Sequence, residues 1–520
     1  MVRQRTSSLR TARFAARLAV VSILLASAVS LAGDTPPNAF EYPPLFDRVE
    51  EYRLDNGMLF LLLPRHDLPT VSGNIQVRAG NVDNPIGKTG LAHMFEHMAF
   101  KGTDRIGTTD WEAEREVLDS LEKVGESLAR ETGLRERGDP ARIAELRAIL
   151  DSLSAREAEY VIPMEFPRLY DGVSLFFNAG TSVDFTYYYA DFPANNLEAW
   201  MLMESERFQH PVFREFFTER NVVMEERRQV VEDQPMSLAR ETAMQLAFSS
   251  HPYRFPTIGF MGDIEILTIA DARRFHDTYY VPNNAIAALV GDFDTAEAKR
   301  LIDAYFGDIP AGTPPPEVTV VEPQRYGPMR AEVRRGTERS VILCFPGYGP
   351  DDPRGHTALF LSYLLGRDNT SRLKHRLDIE EGIARMVSVS PTGGYSRYPG
   401  LFRIQVDLLE NRTAKEAERM IWEELRRVVD EPPTEEDIDR IRRSLRKRWY
   451  FQLETNSELG WMLVGGQSVR GDWRSAYEKF REYEEVTPEA VVELARDLFR
   501  EEQSITVILE PEENTGKEGA

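Results

Sequence analysis

A single cysteine, Cys344, in 520 residues excludes an intramolecular disulfide, and no cysteine stands near the N-terminus to carry a lipid. Histidine is scarce, with eight in the chain, so two of them four positions apart stand out. Positive charge is in deficit: 63 Lys and Arg face 85 Asp and Glu, a net charge of −22. Nucleic acid is thereby excluded as a partner, because a phosphate backbone binds by releasing counterions to a basic surface. The acidic balance suits cationic or unfolded polypeptides, and it serves solubility equally well. Long hydrophobic runs are missing after residue 32, so no later segment crosses a bilayer. The rest is ordinary for a globular protein, 42% hydrophobic and 28% charged. At roughly 150 residues per domain the length gives two or three domains.

Residues 1–32 are a separate object. Arg3, Arg5, Arg10, Arg13 and Arg17 form a positive start without one acidic residue. An apolar run from Leu18 to Ala32 follows, too short to span a bilayer comfortably and closing on Ser30-Leu31-Ala32. This is the pattern of a secretory signal peptide cleaved before Gly33, which predicts an exported, periplasmic or secreted protein with no membrane anchor after processing. Loss of those five arginines takes the net charge from −22 to −27.

The remaining chain divides into a first domain over 46–312, a linker over 313–325 rich in Pro, a second domain over 326–512 and a flexible polar tail over 513–520. A strand pair is expected at Glu51–Leu54 and Met58–Leu63 around Asp55-Asn56-Gly57, with another strand at Val71–Arg78. A helix carrying Leu91, Phe95, Met98 and Ala99 comes next. Two charged segments, Trp111–Glu131 and Ala141–Tyr160, predict an antiparallel helical hairpin over about 110–162; its charge predicts an element that projects into solvent. Asp83, Pro85, Gly87, Thr89 and Leu91 recur 268 residues later as Asp351, Pro353, Gly355, Thr357 and Leu359, each time between a strand and a helix. An internal duplication accounts for this. In that register His93, Glu96 and His97 fall on Leu361, Leu364 and Leu365, so only the first copy keeps a polar site.

His93-Met94-Phe95-Glu96-His97 puts two imidazoles on one helix face, where they can bind one metal. Glu96 lies near the same edge without being needed as a ligand. Zinc lowers the pKa of a coordinated water to about 7, and a carboxylate so placed can take its proton as general base while the water attacks a carbonyl. A third protein ligand would leave one position open. The helix Phe216–Val231 offers Glu219 and Glu226, seven apart on one face; either could ligate while the other orients a histidine.

The run from Gly87 to Thr103, with the inverted His-x-x-Glu-His order, resembles the zinc motif of the pitrilysin/insulinase family, above all the branch of mitochondrial processing peptidase and its bacterial relatives. Glu219-Arg220-x-x-Val223-x-x-Glu226 is similar to that family's distal segment, which implies Glu226 as third ligand and Glu219 as the carboxylate behind a histidine. Asn178–Ser182, His251-Pro252-Tyr253, Val281–Ala285, Ser371-Arg372-Leu373 and Glu380–Ile383 extend the resemblance over nearly the whole chain outside the hairpin. It implies an α+β fold of two similar domains, each a sheet with helices packed on it, forming a clamshell around an unfolded peptide. It implies one zinc ion per chain and a metalloendopeptidase. Phe177–Ser182 is similar to the strand that takes substrate as an added strand, making Asn178 and Ala179 candidates for substrate contact. The chain departs from the pattern where active members carry an arginine and a tyrosine around Glu-Glu-Gly of the second half: Asp378 and Arg385 stand there instead. That predicts a dimer, preferably with a zinc-less homologous chain supplying the pair and otherwise a homodimer. The rival readings are a non-catalytic peptide-binding or structural subunit, and a metal hydrolase acting on something other than peptides.

Overall fold

The computed structural model describes residues 43–391 and 396–512. The expected signal peptide and the expected polar tail lie outside the described residues. The chain divides into a unit of residues 1–46, of which only the last few are described, and a unit of residues 47–520 that holds all that follows.

The second unit is α+β and is built on two sheets. The first has six strands: β1 (Glu50–Arg53), β2 (Leu59–Pro64), β3 (Thr70–Val77), β4 (Phe176–Thr181), β5 (Thr186–Pro193) and β6 (Ala285–Gly291), in the order β1-β2-β6-β3-β5-β4. The second has five: β7 (Met329–Arg334), β8 (Ser340–Pro346), β9 (Ala384–Pro391), β10 (Leu401–Leu408) and β11 (Ile505–Glu510), in the order β7-β11-β8-β10-β9. β2 pairs parallel with β6, and β6-β3-β5-β4 continue antiparallel. β7 pairs parallel with β11, and β11-β8-β10-β9 continue antiparallel. The sheets therefore match strand for strand once β1 is set aside, as a duplicated unit requires.

The helices used below are α1 (Leu91–Met98), α2 (Trp111–Gly133), α3 (Pro140–Glu157), α4 (Leu197–Gln209), α5 (Phe216–Arg227), α6 (Pro235–Ala247), α7 (Ile269–Tyr279), α8 (Arg354–Gly366), α9 (Glu435–Gln452), α10 (Asn456–Arg470) and α11 (Ser475–Glu484). Their ends follow the expected chemistry. Asp110 accepts from the Ala113 amide to start α2, Pro140 opens α3, and Thr268 with Asp271 forms a reciprocal cap on α7. One face of the first sheet packs against α1, α4 and α7 through Phe60, Ile75, Phe95, Trp200 and Phe275.

The opposite covers are exchanged. α10, from the second half, packs on β3 and β6 of the first sheet, and α6, from the first half, packs on β8 and β11 of the second. Gly460 makes the first of these possible: a Cβ there would lie 2.2 Å from the Asn74 amide nitrogen. Trp461 then meets the rings of Tyr187 and Tyr189 on β5 edge-on, at 4.8 and 5.1 Å between centroids.

The hairpin corrects the expectation of a projecting element. α2 and α3 pack on each other, and Val117, Leu118, Leu121, Leu128 and Leu146 enter the main core. Glu114 on α2 is fully buried and pairs through two bonds with Arg214, at 2.8 and 3.1 Å. Arg214 also donates to the carbonyls of Lys101, Thr103 and Ile106. Glu157, at the end of α3, accepts the Glu215 amide at 2.7 Å and so begins α5. The charge count misled because only one side of each arm is solvated.

Candidate metal centre

α1 begins at Gly90, whose φ of 84° suits glycine and where a Cβ would lie 2.5 Å from the Ile258 carbonyl. Asn84 Oδ1 accepts the Ala92 amide at 2.9 Å, satisfying one orphan donor of the first turn. Leu91, Ala92, Met94, Phe95 and Met98 are buried, which leaves His93, Glu96 and His97 together on the half-buried face of the helix. α5 runs past this face and brings Glu219 and Glu226 to it.

One ligand atom from each of His93, His97 and Glu226 lies within 4.8 Å of the other two. Glu226 Oε2 is 3.7 Å from His93 Nε2 and 3.5 Å from His97 Nε2. Ligand atoms held about 2.0–2.1 Å from a tetrahedral zinc stand roughly 3.3–3.4 Å apart, so the two Glu226 contacts are within a few tenths of an ångström of that spacing. His97 Nδ1 lies 2.8 Å from Glu219 Oε1, and Glu219 Oε2 lies 2.7 Å from Lys101 Nζ. With Nδ1–H donating to Glu219, the Nε2 lone pair of His97 faces Glu226. Glu225 points elsewhere, to Arg228 and Gln229.

The electrostatics fit a cation. Burial, with His97 nearby, pushes His93 well down, so it stands neutral with a free lone pair. Burial also disfavours the His97 imidazolium, but hydrogen bonds to Glu219 and Glu226 overcome that and hold it up to about 9. Glu219 is taken down to about 2 despite burial, through His97 and Lys101. The His97 hydrogen bond lowers Glu226 as well. The carboxylates thus draw a positive charge to the space between the imidazoles, a proton or a metal that displaces it. His93 Nδ1 is buried without a hydrogen-bond partner among the described residues.

Glu96 is the acid of the set pushed the other way: burial raises it, against a hydrogen bond from Thr181. Thr181 Oγ1 donates to Glu96 Oε2 at 2.7 Å. β4 is one of the two edge strands of its sheet, and on it Asn178 Oδ1 accepts the Ala179 amide at 2.9 Å. The site thus gathers His93, His97, Glu226, Glu219 and Glu96, with Asn178 and Ala179 on the strand that ends at Thr181. Sequence reasoning gave no role to Thr181 or Lys101. Thr181 lies 85 residues from Glu96, and only the strand order brings them together; Lys101, one turn past His97, carried the one available signal, helical spacing. In the second half Leu361, Leu364 and Leu365 are buried on α8, and Arg385 pairs with Glu338 at 3.1 Å on the surface.

Among known proteins, two family models match. Residues 61–133 and 166–259 fit the insulinase family, peptidase family M16, and residues 267–445 fit the M16 peptidase inactive domain. The gap between 133 and 166 contains α3. A zinc protease, PqqE, of Helicobacter pylori is 26% identical over 482 residues, covering 89% of this chain and 93% of its own length. The crystal structure of a protease from Helicobacter pylori superposes with a TM-score of 0.74 at 22% identity, over 89% of this chain and 99% of that one. The periplasmic protease PqqL from Escherichia coli gives a TM-score of 0.65 at 16% identity, over 90% of this chain and 48% of that one.

Proposed function

This chain belongs to the insulinase (M16) peptidase family, and from that premise we propose that it is an exported zinc metalloendopeptidase cleaving peptides or unfolded polypeptides in a closed chamber. The observation that supports this best is that Glu226 of α5 meets His93 and His97 of α1, whose same face carries Glu96. Zinc, when bound by those three residues, supplies a Lewis acid that polarises the scissile carbonyl and makes water a nucleophile near neutral pH.

The chain's own groups do the rest. Glu96 takes the proton of the attacking water and returns it to the leaving amine, and the burial that raises its pKa matches it to both tasks. Glu219 fixes the tautomer of His97, and Lys101 holds Glu219. An extended substrate adds to the free edge of β4, where its carbonyl replaces the Asn178 side chain at the Ala179 amide. The inactive-domain match falls on 267–445, away from these residues. It agrees with a second half that encloses substrate, so the non-catalytic reading is the weaker one.

Two finer parts of the proposal concern setting. Export rests on residues 1–32 and on the likeness to a periplasmic protease; among the described residues no helix is long and apolar enough to cross a membrane. A partner chain with the arginine and tyrosine rests on Asp378 and Arg385 standing in their places.

The test is metal analysis with peptide hydrolysis. Wild type is expected to hold one zinc and to lose turnover on chelation. Glu96→Gln is expected to keep the zinc and lose roughly 10²–10⁴ in kcat. Zinc loss from Glu96→Gln as complete as from His93→Ala would overturn the role of Glu96. Turnover by the isolated chain, unchanged by a zinc-less relative, would overturn the partner.

A further inference from the structure

We propose that a cavity in the second half, walled by α8, α9, α10 and α11, is a binding site for a carboxylate carried on an apolar chain. It stands apart from the metal centre and does not depend on the peptidase reading. Its volume is about 500 Å³, in the range of small-ligand sites.

The floor is apolar: Leu359 of α8, Trp449 of α9, Met462 and Val469 of α10, and Phe480 of α11 line it. Four cations line it too, Arg367, Arg448, Arg470 and Lys479. The acid lining it is Asp352, and both its oxygens are held by Arg354, at 3.0 and 2.7 Å. Among the described residues neither Arg367 nor Arg448 has a carboxylate in ion-pair reach. In a chain of net charge −22, such a gathering of cations around one cavity runs against the composition and selects for an anion.

One of the cations is held in place. His356 Nδ1 meets one oxygen of Glu482, its Nε2 lies 3.3 Å from Arg470 Nη2, and Arg470 Nη1 lies 3.7 Å from the other Glu482 oxygen. Burial, then Arg470 and Lys479, push His356 down to about 4. It is therefore neutral, donates through Nδ1 and accepts through Nε2, which fixes the Arg470 guanidinium at the cavity wall. A planar, pre-set guanidinium suits a carboxylate, and the apolar floor suits what the carboxylate is attached to. A free fatty acid and the C-terminal end of an apolar peptide share this chemistry. α10 gives the site a neighbour of consequence, since it also covers the first sheet at Gly460 and Trp461.

The experiment is isothermal calorimetry on the full chain stripped of divalent metal by EDTA, so that peptides stay intact. The probes are decanoate, acetyl-Leu-Leu-Phe with a free carboxylate, and the same peptide as its C-terminal amide. At least one acid is expected to bind at one site per chain, with the amide roughly tenfold weaker or worse. Binding of decanoate alone identifies a lipid source, binding of the peptide acid a peptide source, and either supports the site. Arg448→Gln and Arg470→Gln are each expected to weaken binding by roughly tenfold. Leu359→Trp, which fills the cavity, is expected to abolish it with the melting temperature retained. Absence of binding by both acids would overturn the site. So would equal affinity for the amide, or binding that survives Leu359→Trp, which places the ligand elsewhere.

Discussion

Thr181 Oγ1 lies 2.7 Å from Glu96 Oε2, so the last residue of edge strand β4 holds the carboxylate of the candidate base. A hydrogen bond to a charged group contributes about 1.5–3 kcal/mol. Thr181→Val is expected to lower kcat by roughly 10–100-fold with zinc content unchanged, and Thr181→Ser to restore most of it. Steady-state kinetics beside metal analysis checks this; equal activity of the valine and serine variants would remove the hydroxyl from the mechanism.

The two carboxylates of α5 differ in what they face. Glu226 meets both Nε2 atoms, whereas Glu219 meets His97 Nδ1 and Lys101. Glu226→Gln is expected to lose zinc severely, and Glu219→Gln to lose roughly 10–100-fold in affinity or activity. Zinc titration against a competing chelator ranks them, and the reverse order would exchange their roles.

The Glu114–Arg214 pair is buried at both ends and anchors the carbonyls that follow α1. Arg214→Met leaves Glu114 charged and alone, with an expected loss of about 3–5 kcal/mol. Arg214→Met with Glu114→Leu is expected to recover part of it. Denaturant unfolding gives both values, and a single variant as stable as wild type would contradict the packing of the hairpin.

Glu157 carries a pH dependence. Burial, only partly opposed by the Glu215 amide, raises it to about 7 from 4.5. An acid whose folded pKa is raised contributes stability that is full below about 4.5 and lost as pH rises through 7. Glu157→Gln keeps the acceptor for Glu215 and cannot ionise. It is expected to match wild type near pH 4.5 and to exceed it by about 3 kcal/mol at pH 8. Calorimetric melting across that range checks the sign.

How far the sequence could be read depends on how local each feature is. The α1 face, the β1–β2 turn and the two carboxylates of α5 are set by spacing within a helix turn or a hairpin, and spacing is visible in a sequence. The matching strand orders extend what five recurring residues between Asp83 and Leu91 suggested. Thr181 acts across the fold, 85 residues from Glu96, where no spacing points to it. The hairpin misled for a different reason. Glu114 counts as surface charge until Arg214, 100 residues away, is known to meet it. The cavity beside His356 was invisible for the same reason, since its cations come from three separate helices and from Arg367 at the end of a fourth.

The exchanged covers set the order in which the molecule can become solid. The first sheet draws its strands from residues 50–291, yet the helix that closes its second face spans 456–470. α6 waits in turn for β11, at residues 505–510. A chain that emerges from its N-terminus, from a ribosome or through a translocation channel, therefore holds neither half in finished form until almost all of it has appeared.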